Sequence, residues 1–341
     1  MTSNMTSNMT SSPLAALSST IAHMPGDYVR FRDNVIWSAS LSTIVVATTT
    51  LTLPDITVPT SALQSALKSL RGDDVRLEAT PTTLKLTTQH SRAQIGLAGT
   101  VIGYINVPDD MWQTVDRDVI AAGLRAVSSA VGVGDVPNAG VRLCAEGVVA
   151  TDTCRLHWHK WAQAAPIVGT LHPESVSVLT GCLSVGANTG KKAKQAAPTT
   201  IRYAAGQKFL VFDTGTLRVY CRRLPEPWAP WERIVAGEPR GVRVIISAAQ
   251  LNTALKNVPA IFVDLSSDGD GLKLDYAIGE TGEGSNSVDA SCNAFPPVRY
   301  FVRYLLDAVA CCSGEVEMWV SEGAAMRLRS GSFEAAVMFA R

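Results

Sequence analysis

Amphipathic helices followed by pairs of alternating strands recur along this chain. Residues 58–71 carry leucine or alanine at every third or fourth position, which predicts a helix with one apolar face. Residues 73–89 then alternate apolar and polar side chains on either side of a Pro-Thr-Thr turn, which predicts a hairpin. The same order returns in residues 246–278, where the hairpin turns at Asp-Gly-Asp-Gly.

About six such helix-and-meander units fill the chain. Their helices are predicted at residues 14–24, 58–71, 116–131, 172–183, 247–258 and 298–312. Two units per domain predict an α+β fold of three similar domains. The boundaries are a disordered tail at 1–12 and domains at 13–106, 107–238 and 239–341. On periodicity alone, an unrelated α+β protein of two domains explains the pattern equally well.

Composition narrows the class of protein. The 341 residues include 30 basic and 30 acidic side chains, so bulk positive charge does not drive any nucleic-acid binding. Seven cysteines without a CxxC pair favour reduced thiols over a disulfide framework or a zinc knuckle. The sequence shows no apolar run of membrane-spanning length and no signal peptide at its polar N-terminal repeat. We therefore expect a cytoplasmic protein without a membrane partner.

Local sequences resemble the bacterial DNA polymerase III beta subunit, the DNA sliding clamp family. In family order they are TVPTSALQSALKSLRGDDVRLE at 57–78, VVATDTCRLHW at 148–158, LPEPWAPWERIV at 224–235, RYLLDAV at 303–309 and VMFAR at 337–341. The resemblance implies a head-to-tail homodimer that closes a ring, with helices lining the hole and sheets outside. It also implies a non-catalytic processivity factor that encircles double-stranded DNA and needs no cofactor.

The chain departs from the family at several positions. Thr153 and Cys154 stand where the family signature has glycine and histidine, and Met338-Phe339-Ala340 replaces its MPM. Divergence of this kind suits a phage-encoded or otherwise specialised clamp, acting in the cytoplasm of a bacterium or an infected host.

The resemblance implies an apolar groove for short peptides of DNA polymerases and clamp loaders. The predicted pocket residues are Thr151, Asp152, Thr153, Arg155, Leu156, Ala236, Phe301, Tyr304, Met338, Phe339 and Arg341. Methionine and aromatic side chains offer an adaptable apolar surface to varied peptides. Ordinary core packing is the alternative interpretation of Tyr304, Leu156 and Met338.

Basic residues on the predicted helices, and in one polar loop, are the candidates for DNA contact. They are Lys68, Arg71, Arg117, Arg125, Lys191, Lys192, Lys194, Lys256, Arg299 and Arg303. Phosphate contacts from such side chains are screened by salt and carry no sequence information, which suits a sliding protein. The excess of basic over acidic residues on the helices is small, and a solvated helix face explains it as well.

One enzyme interpretation competes with the clamp. His157 and His159 lie two residues apart on a predicted strand, so both side chains can point to one metal ion. No HxxE or CxxC partner is nearby, and no phosphate-binding loop occurs. The sequence therefore predicts no catalytic residue, no metal site and no cofactor, with a His-based metal-dependent hydrolase as the alternative.

Overall fold

The computed structural model describes residues 13–72, 74–99, 112–134, 139–184 and 199–340. They divide into two compact units. Unit 1 contains the described residues up to Ala121 together with Glu174–Arg223, and unit 2 contains Ala122–Pro173 together with the residues from Leu224 onward. The predicted tail at 1–12 lies outside the described residues.

The described residues form seven α-helices and 22 β-strands. The first elements are α1 (Pro13–Ala22), β1 (Tyr28–Ala39), β2 (Thr43–Pro59), α2 (Thr60–Ser69), β3 (Arg76–Ala79), β4 (Thr83–Thr87), β5 (Arg92–Gly96), β6 (Gln113–Asp116), α3 (Arg117–Val127), β7 (Val141–Cys144), β8 (Gly147–Thr151), β9 (Arg155–Lys160) and β10 (Gly169–Leu171). The others are α4 (Pro173–Ser184), β11 (Thr200–Ala205), β12 (Phe209–Asp213), β13 (Leu217–Leu224), α5 (Glu232–Val235), β14 (Val242–Ser247), α6 (Ala248–Lys256), β15 (Phe262–Ser267), β16 (Leu272–Ile278), β17 (Gly282–Val288), β18 (Ala290–Cys292), β19 (Phe295–Phe301), α7 (Val302–Val309), β20 (Glu315–Val320), β21 (Met326–Ser330) and β22 (Phe333–Val337).

The predicted α+β pattern is confirmed: a helix forms at each of the six predicted positions and antiparallel strands follow it. The sixth helix, α7, begins at Val302, because the preceding residues form strand β19. In β19, Val298 and Tyr300 are buried while Arg299 between them is exposed, and this period of two belongs to a strand. The short helix α5 was not predicted.

Unit 1 contains an antiparallel sheet in the order β6–β11–β12–β13–β2–β1. The long β1–β2 hairpin is irregular around Asp33, which adopts φ 54°. A small second sheet, β3–β4–β5, follows α2. Leu63 and Leu67 on the apolar face of α2 are buried, as the amphipathic pattern predicts.

Unit 2 contains nine antiparallel strands in the order β18–β14–β20–β21–β22–β9–β8–β7–β10 and a second sheet in the order β17–β16–β15–β19. One face of strands β14, β20, β21 and β22 joins residues of α6 and α7, such as Leu255 and Leu305, in the main core of the unit. The linker formed by residues 224–241 contributes Trp231 to a separate cluster with Leu156 and Ala336. Neighbouring residues of a strand face opposite ways, so the linker packs against the other face of the sheet.

All seven cysteines are free thiols in the structure. Burial raises the pKa of Cys182 and Cys312 to about 12 and that of Cys144 and Cys311 to about 11. Cys154 is the exposed one of the seven. No helix in the described part of the chain is both long enough and apolar enough to span a membrane.

Candidate functional site

The turn between β8 and β9, together with the strand residue on either side of it, carries four of the predicted pocket residues. Asp152 Oδ1 accepts hydrogen bonds from the backbone N–H groups of Cys154 (3.1 Å) and Arg155 (3.0 Å), which makes an Asx-type turn. The buried Thr151 hydroxyl donates to the Arg155 carbonyl at 2.6 Å. Thr153 adopts φ 77°, a left-handed conformation that costs a β-branched residue about 1–3 kcal/mol.

Arg155 holds the turn to two helical segments of unit 2. Its Nε donates to Asp152 Oδ2 at 3.0 Å, and its two Nη groups donate to Asp307 on α7 and to the Ser129 carbonyl after α3. The guanidinium carbon also lies 4.5 Å from the centroid of the Tyr304 ring. Because Arg155 is only 9% exposed and has four partners, it is a fixed structural cation rather than a mobile one.

A row of aromatic rings continues from Arg155. Tyr304 lies 5.2 Å from Phe301, and Phe301 lies 4.5 Å from Phe262, both as tilted ring pairs. Burial, reinforced by nearby Cys154 and Asp152, raises the pKa of Tyr304 above its usual value. Phe262 is 39% exposed, so the row reaches the surface.

The residues before Arg341 complete this surface. The Met338 N–H donates to the Cys154 carbonyl, and the Ala340 N–H donates to the Arg299 carbonyl, each at 2.8 Å. Met338 is 43% exposed, whereas Phe339 is half-buried against the main core of unit 2. Arg341 lies outside the described residues. The structure thus brings the turn, the aromatic row and Met338 together.

Leu156 does not join this surface. It is 1% exposed and packs with Trp231 and Val235, on the face of β9 opposite to Arg155. Core packing, the alternative interpretation of Leu156, therefore describes its environment. Ala236 is exposed and directly follows Val235 in the linker.

Two buried charged residues that the sequence did not predict, Arg327 and Glu334, lie at the linker. Arg327 donates to the carbonyls of Ile234 (3.0 Å), Val235 (3.1 Å) and Gly237 (3.3 Å), and to Glu334 Oε2 (3.0 Å). Both members of this ion pair are buried, with side chains 7% and 3% exposed. The last carbonyls of a helix have no hydrogen-bond partner within the helix, and Arg327 supplies partners for those at the end of α5.

Glu334 has two further cationic neighbours. Lys160 Nζ donates to its Oε1 at 2.6 Å, and Arg329 Nε lies 2.9 Å from the same oxygen as an ion pair without hydrogen-bond geometry. Burial alone would raise the pKa of Glu334, but Lys160, Arg329 and Arg327 outweigh it and lower that pKa. The carboxylate is therefore charged at neutral pH.

Asp307 and Phe262 lie beside the predicted pocket residues Arg155 and Phe301, and Arg327 binds the linker, although the sequence did not predict any of the three. Asp307 could have been found, because it lies three residues after Tyr304 and so shares its helical face. No sequence signal identifies Arg327, since its carbonyl partners are about 90 residues away in the chain.

Four of the predicted DNA-contacting residues lie on helices with exposed side chains. They are Lys68 on α2, Arg125 on α3, Lys256 on α6 and Arg303 on α7. Arg71 is also exposed, but it lies two residues beyond the end of α2. Each of these side chains can reach solvent and hence a phosphate.

The remaining candidates differ from expectation. The prediction that Arg299 lies on a helix was wrong: it is on β19 and binds Asp264 through two hydrogen bonds of 2.9 and 2.8 Å. Arg117 begins α3 but is 6% exposed and pairs with Asp118 at 3.0 Å. Lys191, Lys192 and Lys194 lie outside the described residues.

The histidine pair of the hydrolase alternative is split between core and surface. His157 is fully buried, its Nδ1 lies 3.2 Å from the Ala126 carbonyl, and its ring meets Phe333 edge-on at 5.2 Å. Burial lowers the pKa of His157 to about 4 and also lowers that of the half-buried His159. Across the described ranges, no group of three His, Cys, Asp or Glu side chains is placed to hold a metal ion.

Comparison with known proteins agrees on the architecture. No family model matches the sequence, and no curated protein matches it. Solved structures nevertheless match almost the whole chain. The DNA polymerase III beta subunit of Thermotoga maritima is 17% identical, with a TM-score of 0.82 over 97% of this chain and 98% of that one. The chain has the sliding-clamp fold.

Further clamp structures give the same result. The beta subunit of Pseudomonas aeruginosa is 17% identical, with a TM-score of 0.77 over 96% of this chain and 98% of that one. The clamp of Bartonella birtlesii, solved with bound griselimycin, is 13% identical, with a TM-score of 0.79 over the same shares. The clamp fold predicted from scattered motifs is therefore confirmed at very low sequence identity.

Proposed function

We propose that this chain is a DNA sliding clamp, a non-catalytic homodimeric ring that encircles duplex DNA and tethers a replicative DNA polymerase. The observation that carries the proposal is the likeness to DNA polymerase III beta subunits over at least 96% of both chains. A shared fold can serve unrelated functions. Here the match extends over 96–97% of this chain and 98% of each clamp, which favours a shared role over a borrowed domain.

Ring formation and topological retention test this function. We expect a solution mass of about two chains of 36.3 kDa each in sedimentation equilibrium. On nicked circular DNA, after incubation with a bacterial clamp loader, the protein should co-elute with the plasmid and be released when a restriction enzyme linearises it. Retention that is unchanged after linearisation, or a tight complex with a short linear duplex, would contradict the proposal.

The peptide site of the clamp is assigned to the surface formed by Arg155, Phe301, Tyr304 and Met338. The half-buried rings of Phe301 and Tyr304, the latter held in place by Arg155, and the exposed thioether of Met338 offer an apolar surface to a peptide. Griselimycin, the ligand of the B. birtlesii clamp, serves as the probe.

Calorimetric titration with griselimycin tests the peptide site. Tyr304→Ala and Met338→Ala should each weaken binding about tenfold, as loss of an interface anchor does. Tyr276→Ala is the matched control, because Tyr276 is a half-buried tyrosine of the same unit that lies on β16. Equal affinity in all three variants would place the site elsewhere.

The DNA surface is assigned to Lys68, Arg125, Lys256 and Arg303. The logarithm of DNA affinity falls as the logarithm of salt concentration rises, and removing two phosphate contacts should make this negative slope shallower by about 2. The double variant Lys256→Gln/Arg303→Gln is compared with Lys273→Gln, a lysine that is already paired with Asp268. A slope that falls equally in both would contradict the assignment.

The proposal includes the division into domains at 13–106, 107–238 and 239–341. Each of these segments begins with, or soon reaches, a helix that starts a helix-and-strand unit. Limited proteolysis should cut near residues 106 and 238 before it cuts within β8 or β21. Early cleavage inside those strands instead would contradict the boundaries.

A further inference from the structure

The linker of unit 2 has little backbone restraint of its own near residue 236. Helix α5 is only four residues long, and Ala236 and Gly237 after it are exposed and outside any helix or strand. Gly237 adopts almost any backbone conformation, and the local restraint on Ala236 is the hydrogen bond from its N–H to the Glu232 carbonyl. Something other than local sequence must therefore fix this segment.

Arg327 supplies that restraint from below. Its guanidinium group binds the carbonyls of Ile234 and Val235 before Ala236 and the carbonyl of Gly237 after it. A planar guanidinium with several rigid N–H donors can bind three carbonyls at once, which an ammonium cannot do with the same geometry. The positive charge also suits the C-terminal end of a helix.

Glu334 holds the guanidinium in place. It binds Arg327 at 3.0 Å from β22, the strand next to β21, and both groups are almost fully buried. Val235, directly before Ala236, packs in the same cluster as Leu156 and Ala336. The restrained linker is therefore attached to β9, which begins with Arg155, and to β22, which ends just before Met338. The chain of contacts thus runs from a buried acid to the exposed linker residue.

We propose that Arg327, clasped by Glu334, is a positioning residue that fixes the backbone on both sides of Ala236 and so shapes the linker wall of the peptide site. The role at the peptide site rests on the proposed function, because it requires that Ala236 border a bound peptide. The anchoring of the linker itself does not depend on that function.

Hydrogen exchange measures the anchoring directly. The Ala236 amide donates to the Glu232 carbonyl at 2.7 Å and should be protected in the full-length protein. In Arg327→Gln its exchange should accelerate about tenfold, since lost hydrogen bonds let α5 open locally. Amides of β8 should keep their protection, which separates local release from general destabilisation.

Arg329→Gln is the matched control. Arg329 lies two residues away on the same strand and pairs with the same Glu334, but its guanidinium contacts the Trp319 ring instead of the linker carbonyls. Exchange at Ala236 should remain unchanged in this variant. Arg327→Lys keeps the charge and guards against misfolding of the glutamine variant, and it too should release Ala236. Equal exchange at Ala236 in the Arg327 and Arg329 variants would overturn the proposal.

Griselimycin affinity then tests the wall. Arg327→Lys should weaken binding about tenfold while Arg329→Gln leaves it within about twofold. Faster exchange at Ala236 with unaltered affinity would overturn the positioning role. If the unmodified protein does not bind griselimycin, the assigned peptide site fails, whereas the exchange result still decides whether Arg327 anchors the linker.

Discussion

Each unit buries one carboxylate among arginines, and the two clusters differ in what their cations reach. In unit 1, Asp213 binds Arg202 and Arg218, whose guanidinium carbons lie 4.9 and 5.2 Å from the centroid of the Trp112 ring. Those arginines are 49% and 27% exposed and can also bind water.

In unit 2, the corresponding acid holds a cation that is almost fully buried. Arg327 is 7% exposed, and its other partners are the three linker carbonyls. In unit 1, the cluster holds Trp112, which precedes the edge strand β6, against its own sheet. In unit 2, the cluster fixes the backbone of a separate segment, the linker. The same chemistry therefore has a local effect in one unit and a distant effect in the other.

The largest expected effect comes from neutralising the acids. Glu334→Gln should lower the free energy of unfolding by about 3 kcal/mol, because it leaves a buried guanidinium without its counter-charge. Asp213→Asn should cost about 1 kcal/mol, since its arginines can turn to solvent. Urea unfolding followed by tryptophan fluorescence measures both. Equal losses would remove the distinction between the two clusters.

Acid should affect unit 2 first. The pKa of His157 is about 4 in the folded protein and near 6.5 when unfolded, so the unfolded chain binds a proton that the folded chain does not between those values. Stability should fall on the order of 3 kcal/mol from pH 6.5 to pH 4. The charged Glu334, whose pKa is also lowered, adds a further loss only as the pH falls below about 4.5.

Amide exchange at graded pH locates this loss. Amides of β9 and β22 should lose protection between pH 6.5 and 4 before those of β12 and β13. The half-buried His23 in unit 1, whose pKa burial also lowers, should give a smaller step. Simultaneous loss in both units would show that His157 does not set the order.

Backbone strain offers a third contrast, because the two non-glycine residues with positive φ in the described chain lie one in each unit. Thr153→Gly should stabilise the protein by about 1 kcal/mol, since threonine is poorly suited to φ 77°. Asp33→Gly should gain only a few tenths, because aspartate tolerates the left-handed region. Thermal unfolding of both variants checks this, and a larger gain at Asp33 would reverse the assignment of strain.

The smallest effect is expected at exposed cations. Lys68→Gln in unit 1 and Arg303→Gln in unit 2 should each change stability by less than about 0.5 kcal/mol. Arg303 is 84% exposed and lies 3.7 Å from Asp307, which already binds Arg155. A loss above about 1 kcal/mol in either variant would show that the side chain supports the fold.

Much of the fold could be predicted from periodicity. The leucine spacing predicted helix α2, and the Asp-Gly turn predicted the hairpin of β15 and β16, because local geometry determines both elements. The helix predicted at 298–312 begins too early, because residues up to Phe301 alternate between buried and exposed positions in β19. Arg299 was therefore wrongly assigned to a helix. The division into three domains stays a prediction.

The site was only partly predictable. The turn with Asp152 and Arg155 could be found through its resemblance to a signature, and Tyr304 through its helix motif. The environments of Leu156, Arg117 and Arg327 depend on strand register and on contacts far apart in the chain. No local pattern encodes those distances, so burial of a charged or pocket residue could not be foreseen.

The uneven burial of the thiols has a practical consequence for following ligand binding. Cys154 is exposed, its backbone carbonyl accepts the Met338 N–H, and its neighbour Arg155 stacks on Tyr304. Thiolates are the reactive form, and burial keeps Cys144, Cys182, Cys311 and Cys312 protonated at neutral pH. A maleimide dye should therefore label Cys154 ahead of them and report occupancy of the surface beside it, with no cysteine engineered into the chain.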